Sequence, residues 1–375
     1  MHYNRPDQLM SLSMNKPHYV FIDSVAPYAY AVNDLYHRAM GGTEATVLRV
    51  TKALSQVANI TIAQSARTDT VIDEYGICYT PYYHKHCSHY QADAIIVIRA
   101  HKLLPKLRRY YPHSRMLLWM HCFPGMRLRD LAQVTVATTT TVIAVSKFHQ
   151  QWMQDFYEQH DPEAAMQMKM QTIYNPVDTR LQNNHQCWDP NKLLFMSSPH
   201  KGLDQVLQHF KRLREELPSL RLYIANPGYL DWQVAGMDDS VEILGALSHA
   251  EVIEHLRTAL CLFYPQSQFE ETFGIVFAEA MAVGTPTLTH AIGAAPEVLG
   301  VNEQLCDAND FNSILTRIRQ WQKQRYAPSL PAAFTIKKVI QAWQTLLAAP
   351  KTTALNQQVG VVANPTSVQQ TSDCA

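Results

Sequence analysis

The chain has 375 residues, with 32 basic side chains against 32 acidic ones and a formal net charge of zero. That balance excludes the broadly basic surface that general nucleic-acid affinity requires, and the length allows two domains of ordinary size, each with its own core. Seven cysteines form no CxxC pair, the amino terminus MHYNRPDQLMSLSMNKP has no apolar core of signal-peptide length, and no stretch resembles a membrane span, so the sequence reads as a soluble intracellular protein.

Short apolar runs alternate with helical patterns along the chain, the mark of parallel α/β units. Strands are expected at 18–22, 59–63, 94–100, 116–121 and 141–146, with helices at 43–57 and 147–160. A polar stretch without period, TRLQNNHQCWDPN, follows Asp178 and reads as a linker. The pattern then restarts, with strands at 192–197, 221–226, 241–245, 261–265 and 285–289 and helices at 202–217, 248–259, 275–283 and 309–324. Residues 1–178 and 179–335 therefore form two doubly wound α/β domains in series, facing each other across a cleft. A last amphipathic helix at 336–349 is expected to pack back on the first domain, and residues 350–375 are expected to be disordered.

In such sheets ligands bind beyond the carboxyl ends of the strands, so the residues just after each strand are the candidates. After the first strand and a long loop comes GGTEAT. There Gly41 and Gly42 would let backbone amides approach an anion at a helix N-terminus, although a plain glycine turn has the same sequence. Arg99 and His121 end the third and fourth strands and would point into the cleft. Lys201 and Gly202 stand at a turn before a helix. Past the strand CLFYP, Glu271 precedes the Phe273-Gly274-Ile275 step, and Glu279 lies one turn into the following helix. Amides at that helix start could hold a phosphate while the two carboxylates accept hydrogen bonds from hydroxyls on either side. A ligand with hydroxyls flanking a pyrophosphate is a nucleotide sugar. Two further clusters stand apart. His84, His86, Cys87 and His89 are metal-capable but follow no zinc spacing. The basic, Leu- and Tyr-rich segment 101–115 would suit an anionic membrane surface, or be an ordinary solvated helix face.

The segment ETFGIVFAEAMAVGTP resembles the E-x7-E signature of retaining glycosyltransferases of the GT-B fold, the family 4 group, and GGTE, AVSKFHQQWM, YNPVD, HKGLDQVL, VEILGALSHAEV and GAAPEV resemble other segments of that family in the same order. The resemblance implies a GT-B architecture of two Rossmann-like domains and transfer from a nucleoside-diphosphate sugar to a saccharide or lipid-linked acceptor. It implies that Glu271 contacts donor-sugar hydroxyls and that the amides of Phe273, Gly274 and Ile275 hold sugar and phosphate. Glu279 would take the ribose, Gly42 the diphosphate and Lys201 the leaving charge, with His121 as the active-site histidine. Leu244 and Gly245 lie where the family positions the base.

The sequence departs from the family in one place. No arginine precedes Lys201 in FMSSPH, which leaves Ser197, Ser198, His200 or Arg99 to replace a phosphate clamp; Arg99 is also a candidate on the acceptor side. No Asp-x-Asp occurs anywhere, so glycine amides, a helix dipole and Lys201 are expected to act without a metal or other cofactor. The implied setting is the cytoplasm, with peripheral contact at the inner face of a membrane. The alternative is a non-catalytic nucleotide-sugar binder on the same scaffold. A dinucleotide oxidoreductase is disfavoured because no G-x-G-x-x-G follows either first strand.

Overall fold

A computed structural model of the chain describes residues 16–82, 91–226, 239–300 and 302–349. Among these, the first sheet has eight strands: β1 His18–Asp23, β2 Asn59–Gln64, β3 Val71–Ile72, β4 Cys78–Pro81, β5 Ala94–Ile98, β6 Arg115–Trp119, β7 Thr141–Ala144 and β8 Lys169–Thr172, in the spatial order β3-β4-β2-β1-β5-β6-β7-β8. The second has six: β9 Lys192–Met196, β10 Arg221–Asn226, β11 Val241–Ala246, β12 Cys261–Tyr264, β13 Thr287–His290 and β14 Leu305–Cys306, in the order β11-β10-β9-β12-β13-β14. Every pairing is parallel except β3 with β4. Both sheets are doubly wound, as the sequence pattern implies. The strand order reverses between β1 and β5 in one and between β9 and β12 in the other, and such a reversal opens a crevice at the strands' carboxyl ends.

The helices are α1 Asp34–His37, α2 Gly42–Leu54, α3 Leu104–Tyr110, α4 Leu131–Ala137, α5 Lys147–His160, α6 Pro162–Gln167, α7 Leu203–Glu216, α8 His249–Thr258, α9 Ile275–Ala282, α10 Ala295–Leu299, α11 Phe311–Lys323 and α12 Ile336–Ala348. No helix among the described residues is long and apolar enough to cross a membrane. The central strands read as continuous apolar runs because helices cover both their faces. Alternate residues divide between two cores: Val20, Ile22, Val97 and Leu118 face one cluster, and Phe21, Ile96, Ile98 and Trp119 face the other, which continues into the second domain. Trp343 of α12 is fully buried there, its ring 4.7 Å from that of Trp119 and 6.4 Å from that of Phe21.

Three strands stop two residues earlier than the sequence suggests, β7 among them at Ala144. β5 ends at Ile98 because Arg99 turns to φ +61°, and β6 ends at Trp119. Arg99 and His121 are therefore loop residues at the rim of the first sheet. Short elements such as β3, β4, β8 and α10 have too few residues to show a period. The 84–90 cluster and residues 350–375 lie outside the described residues.

The two domains are joined at the start of α5. A helix N-terminus has four amides without intrahelical acceptors, and here three of them are satisfied by side chains. Glu297 of the second domain accepts from the amides of Lys147 (3.0 Å) and Phe148 (2.9 Å). Ser146 Oγ accepts from His149 N (2.9 Å), and the Ser146 carbonyl from Gln150 N (3.0 Å). Glu297 also accepts from Tyr174 Oη at 2.7 Å. Ser146 Oγ donates to the Thr272 carbonyl, and Thr272 Oγ1 to the His121 carbonyl. A charged side chain at a helix N-terminus also meets the favourable end of the dipole. Glu297→Ala should lower stability by about 2 kcal/mol, read as a fall of several degrees in Tm, with Glu297→Gln intermediate because it keeps one acceptor oxygen. An unchanged Tm in both variants would show that the seam is held elsewhere.

Candidate active site

The carboxyl edges of β1, β5, β9 and β12 deliver their loops to one place. Gly42 opens α2 in the first domain and Ile275 opens α9 in the second; a Cβ added to Gly42 would lie 3.3 Å from Ile275 Cγ2. Two helix N-termini, one from each domain, thus meet head to head, and each presents the positive end of its dipole. Gly274 makes this approach possible. It sits at φ +75°, and a Cβ there would come within 2.4 Å of the Phe277 ring. Among the described residues, the amides of Gly274, Ile275 and Val276 donate to no acceptor, and they are the orphan donors of α9.

Between the two helices lies a cavity of about 180 Å³ whose walls include Gly42, Arg49, Ser198, Lys201, Ile275 and Glu279. Gly41 lies on the same wall. Its volume is below the roughly 300 Å³ of sites that enclose a whole small ligand, so it suits an anionic group and its immediate neighbours, with the rest of a ligand in the open cleft.

Both carboxylates are buried, so neither is an ordinary surface charge. Glu271 is 9% exposed, and Glu279 is 3% exposed within the apolar helix α9. Lys201 Nζ reaches Glu271 Oε1 at 2.9 Å and Oε2 at 3.0 Å, and Tyr264 Oη donates to Oε1 at 3.1 Å. Glu279 Oε1 accepts from Arg49 Nη2 and from His249 Nε2, each at 2.9 Å. Burial alone would raise the Glu279 carboxyl, but His249 and Arg49 together overcome it and hold the group down at about 2.

The remaining candidates fall around the cavity rather than in its wall. Phe273 is buried against Tyr174 and Phe334, which fixes the backbone leading into Gly274. His121 packs on Trp119 with ring centroids 4.8 Å apart, and its Nε2 is buried without a partner among the described residues. Burial first, then the neighbouring Arg99 cation and His149, push it well below its ordinary value, so its ring is neutral. Its neighbour His149 is held to about 4, chiefly by burial. There Nδ1 accepts from Val145 N (3.3 Å) and Nε2 donates to the Cys122 carbonyl (3.0 Å), an arrangement only the neutral ring allows. Arg99 is committed to Glu44 Oε1 at 3.2 Å and Asp23 Oδ1 at 3.8 Å. Leu244 and Gly245 belong to β11 and do not line the cavity, whereas Leu247, just past the end of that strand, does. His200 lies against the Phe269 ring, centroids 5.7 Å apart.

Arg49, His249 and Glu297 were not legible as site residues. Arg49 reads as one polar position in an amphipathic helix, and its direction is set by the face that α2 turns to the second domain. His249 follows the N-cap of α8, where Ser248 and Glu251 form a capping box; that signal marks the helix start but not what the histidine meets.

Residues 188–338 match the family model of glycosyl transferases group 1. Lipopolysaccharide 1,2-N-acetylglucosaminetransferase of Salmonella typhimurium is 28% identical over 229 residues, 55% of this chain and 57% of that protein. N-acetyl-alpha-D-glucosaminyl L-malate synthase of Bacillus anthracis is 23% identical over 205 residues, 47% of this chain and 53% of that one. The matched stretch thus spans little more than half the length of these two curated relatives. Anabaena HepE, solved in complex with UDP and glucose, superposes with a TM-score of 0.63 at 16% identity, over 89% of this chain and 100% of that one. The carboxyl-terminal segment 188–338 thus carries the match to glycosyl transferases group 1, on a chain whose two facing α/β domains have the GT-B fold.

Proposed function

We propose that the protein transfers a sugar, with retention of anomeric configuration and without a metal, from a nucleoside-diphosphate sugar to a hydroxyl of a saccharide or lipid-linked acceptor. The observation that carries this reading is the meeting of two helix N-termini at one cavity flanked by Glu271 and Glu279. Free amides and dipole ends suit a diphosphate; carboxylates suit the hydroxyls on its two sides, Glu279 the ribose and Glu271 the donor sugar.

In the reaction the bond from the anomeric carbon to the diphosphate oxygen breaks, the acceptor oxygen forms the new bond, and the acceptor proton passes to the departing diphosphate. The leaving group gains negative charge, which the amides of Gly42, Gly274 and Ile275 and the Lys201 ammonium stabilise from positions fixed in advance. Glu271 holds that ammonium in place with both oxygens. A neutral His121 can exchange a hydrogen bond with the transferred sugar without adding a like charge beside Arg99. Ser198 lies in the wall beside Lys201, in place to take a phosphoryl oxygen. Both curated relatives carry N-acetylglucosaminyl groups in their names and the HepE complex holds UDP, so UDP-N-acetylglucosamine is the first donor to test. Lys102 and Arg109 of the basic segment are exposed, whereas Arg108 turns inward to the Thr138 and Ser114 carbonyls. The exposed pair supports peripheral contact of a cytoplasmic protein with a membrane carrying the acceptor.

Release of free nucleoside diphosphate should fall by about 10²–10³-fold in Lys201→Ala. Binding of the donor with no turnover for any acceptor class would instead favour a non-catalytic binder. The Glu279 carboxyl, depressed from its ordinary 4.5 to about 2, contributes stability that is present above pH 4.5 and is lost as pH falls through that interval. Tm should therefore drop more steeply between pH 5 and pH 3 in the wild type than in Glu279→Gln; parallel curves would contradict the pairing. Because His121 is neutral, the rate should show no limb near pH 6.5 arising from it. A limb there that vanishes in His121→Asn would contradict the neutral ring.

A further inference from the structure

One cation in the cavity wall has donors left over. Arg49 lies two turns along α2 from Gly42, on the same face, and is only 7% exposed. Its Nη2 serves Glu279 and stands 3.5 Å from His249 Nε2, but its Nε and Nη1 are buried with no partner among the described residues. Leaving buried donors of a charged group unpaired is unfavourable, and these lie on a side chain that lines the cavity. The two donors at Glu279 take the same oxygen, Oε1; among the described residues nothing bonds Oε2.

The segment before Lys201 lacks an arginine, and the substitutes visible in sequence do not restore one. Arg99 is tied to Glu44 and Asp23, His200 lies against Phe269, and Ser197 and Ser198 carry no charge. We propose that Arg49 is the second diphosphate-binding cation of the site, a role that rests on the nucleotide-sugar reading above. Its Nε or Nη1 takes a phosphoryl oxygen while Nη2 keeps Glu279, whose free Oε2 accepts from the ribose. A guanidinium can do both because its donors fork in a plane. The consequence is specific to this chain: the diphosphate is gripped by Lys201 of the second domain and Arg49 of the first. Donor binding then holds the cleft shut from both sides, where two cations on one domain would not.

The test is calorimetric titration of the full chain with UDP, UMP and uridine, repeated with the GDP and ADP series. Wild-type affinity should rise with phosphate number. Arg49→Met should weaken UDP binding by about 10–100-fold and leave uridine within twofold. Arg49→Lys keeps a cation beside Glu279, so it remains informative if Arg49→Met does not fold. It should weaken UDP several-fold, again without affecting uridine, because an ammonium cannot fork. Equal losses for UDP and uridine would show that Arg49 acts only by holding Glu279, and unchanged UDP affinity would remove it from the site; either result overturns the proposal. If the wild type binds no nucleoside diphosphate in any series, the nucleotide-sugar reading falls and this proposal with it.

Discussion

The site exists only because two separate sheets are held with their carboxyl edges facing, and a carboxylate placed across the seam does much of that holding. Glu297 closes the N-terminus of α5 from the other domain, occupying two amides that would otherwise need water. Through Ser146, Thr272 and the His121 carbonyl, the same seam runs directly into the loops that carry His121 and Glu271. A shift of α5 against α10 would therefore displace both sides of the cavity together. The far side of the cleft has its own tie, the buried Arg49–Glu279 pair, which also spans the domains. A buried ion pair is weak evidence for stability but strongly fixes geometry, because breaking it leaves an uncompensated charge.

The charges around the cavity are arranged in matched pairs: Lys201 with Glu271, Arg49 with Glu279, Arg99 with Glu44. What remains unmatched is the positive end of two helices and a set of free amides. A polyanion would meet donors already in position and need move no side chain off its partner to find them. Under the proposed function, the same arrangement serves the leaving diphosphate, whose charge grows as the sugar departs.

Much of this was legible in the sequence because it depends on local rules. Strand patterns located both sheets, and the strand-end rule pointed to Gly42, Lys201, Glu271 and Glu279. Of these, Gly42, Lys201 and Glu279 share one cavity, and Glu271 joins it through Lys201. Glycines at Gly41, Gly42 and Gly274 marked where backbone comes close. The rest required knowing which helix faces which domain. Arg49, in the middle of TEATVLRVTKAL, has no local signal for its role. Glu297 was recognisable as part of a familiar segment, but its work is done on a helix about 150 residues away in sequence. Arg99 was expected within a strand at 94–100 but lies just past the end of β5, where its left-handed backbone turns it to Glu44 and Asp23, a choice no spacing encodes.

A structure of the chain with a bound nucleoside diphosphate tests the central claim most directly. The account places phosphoryl oxygens within hydrogen-bonding distance of the Gly42 and Ile275 amides, between Arg49 and Lys201, with ribose hydroxyls on Glu279. A diphosphate bound away from the meeting point of α2 and α9, with those amides still facing solvent, would contradict it.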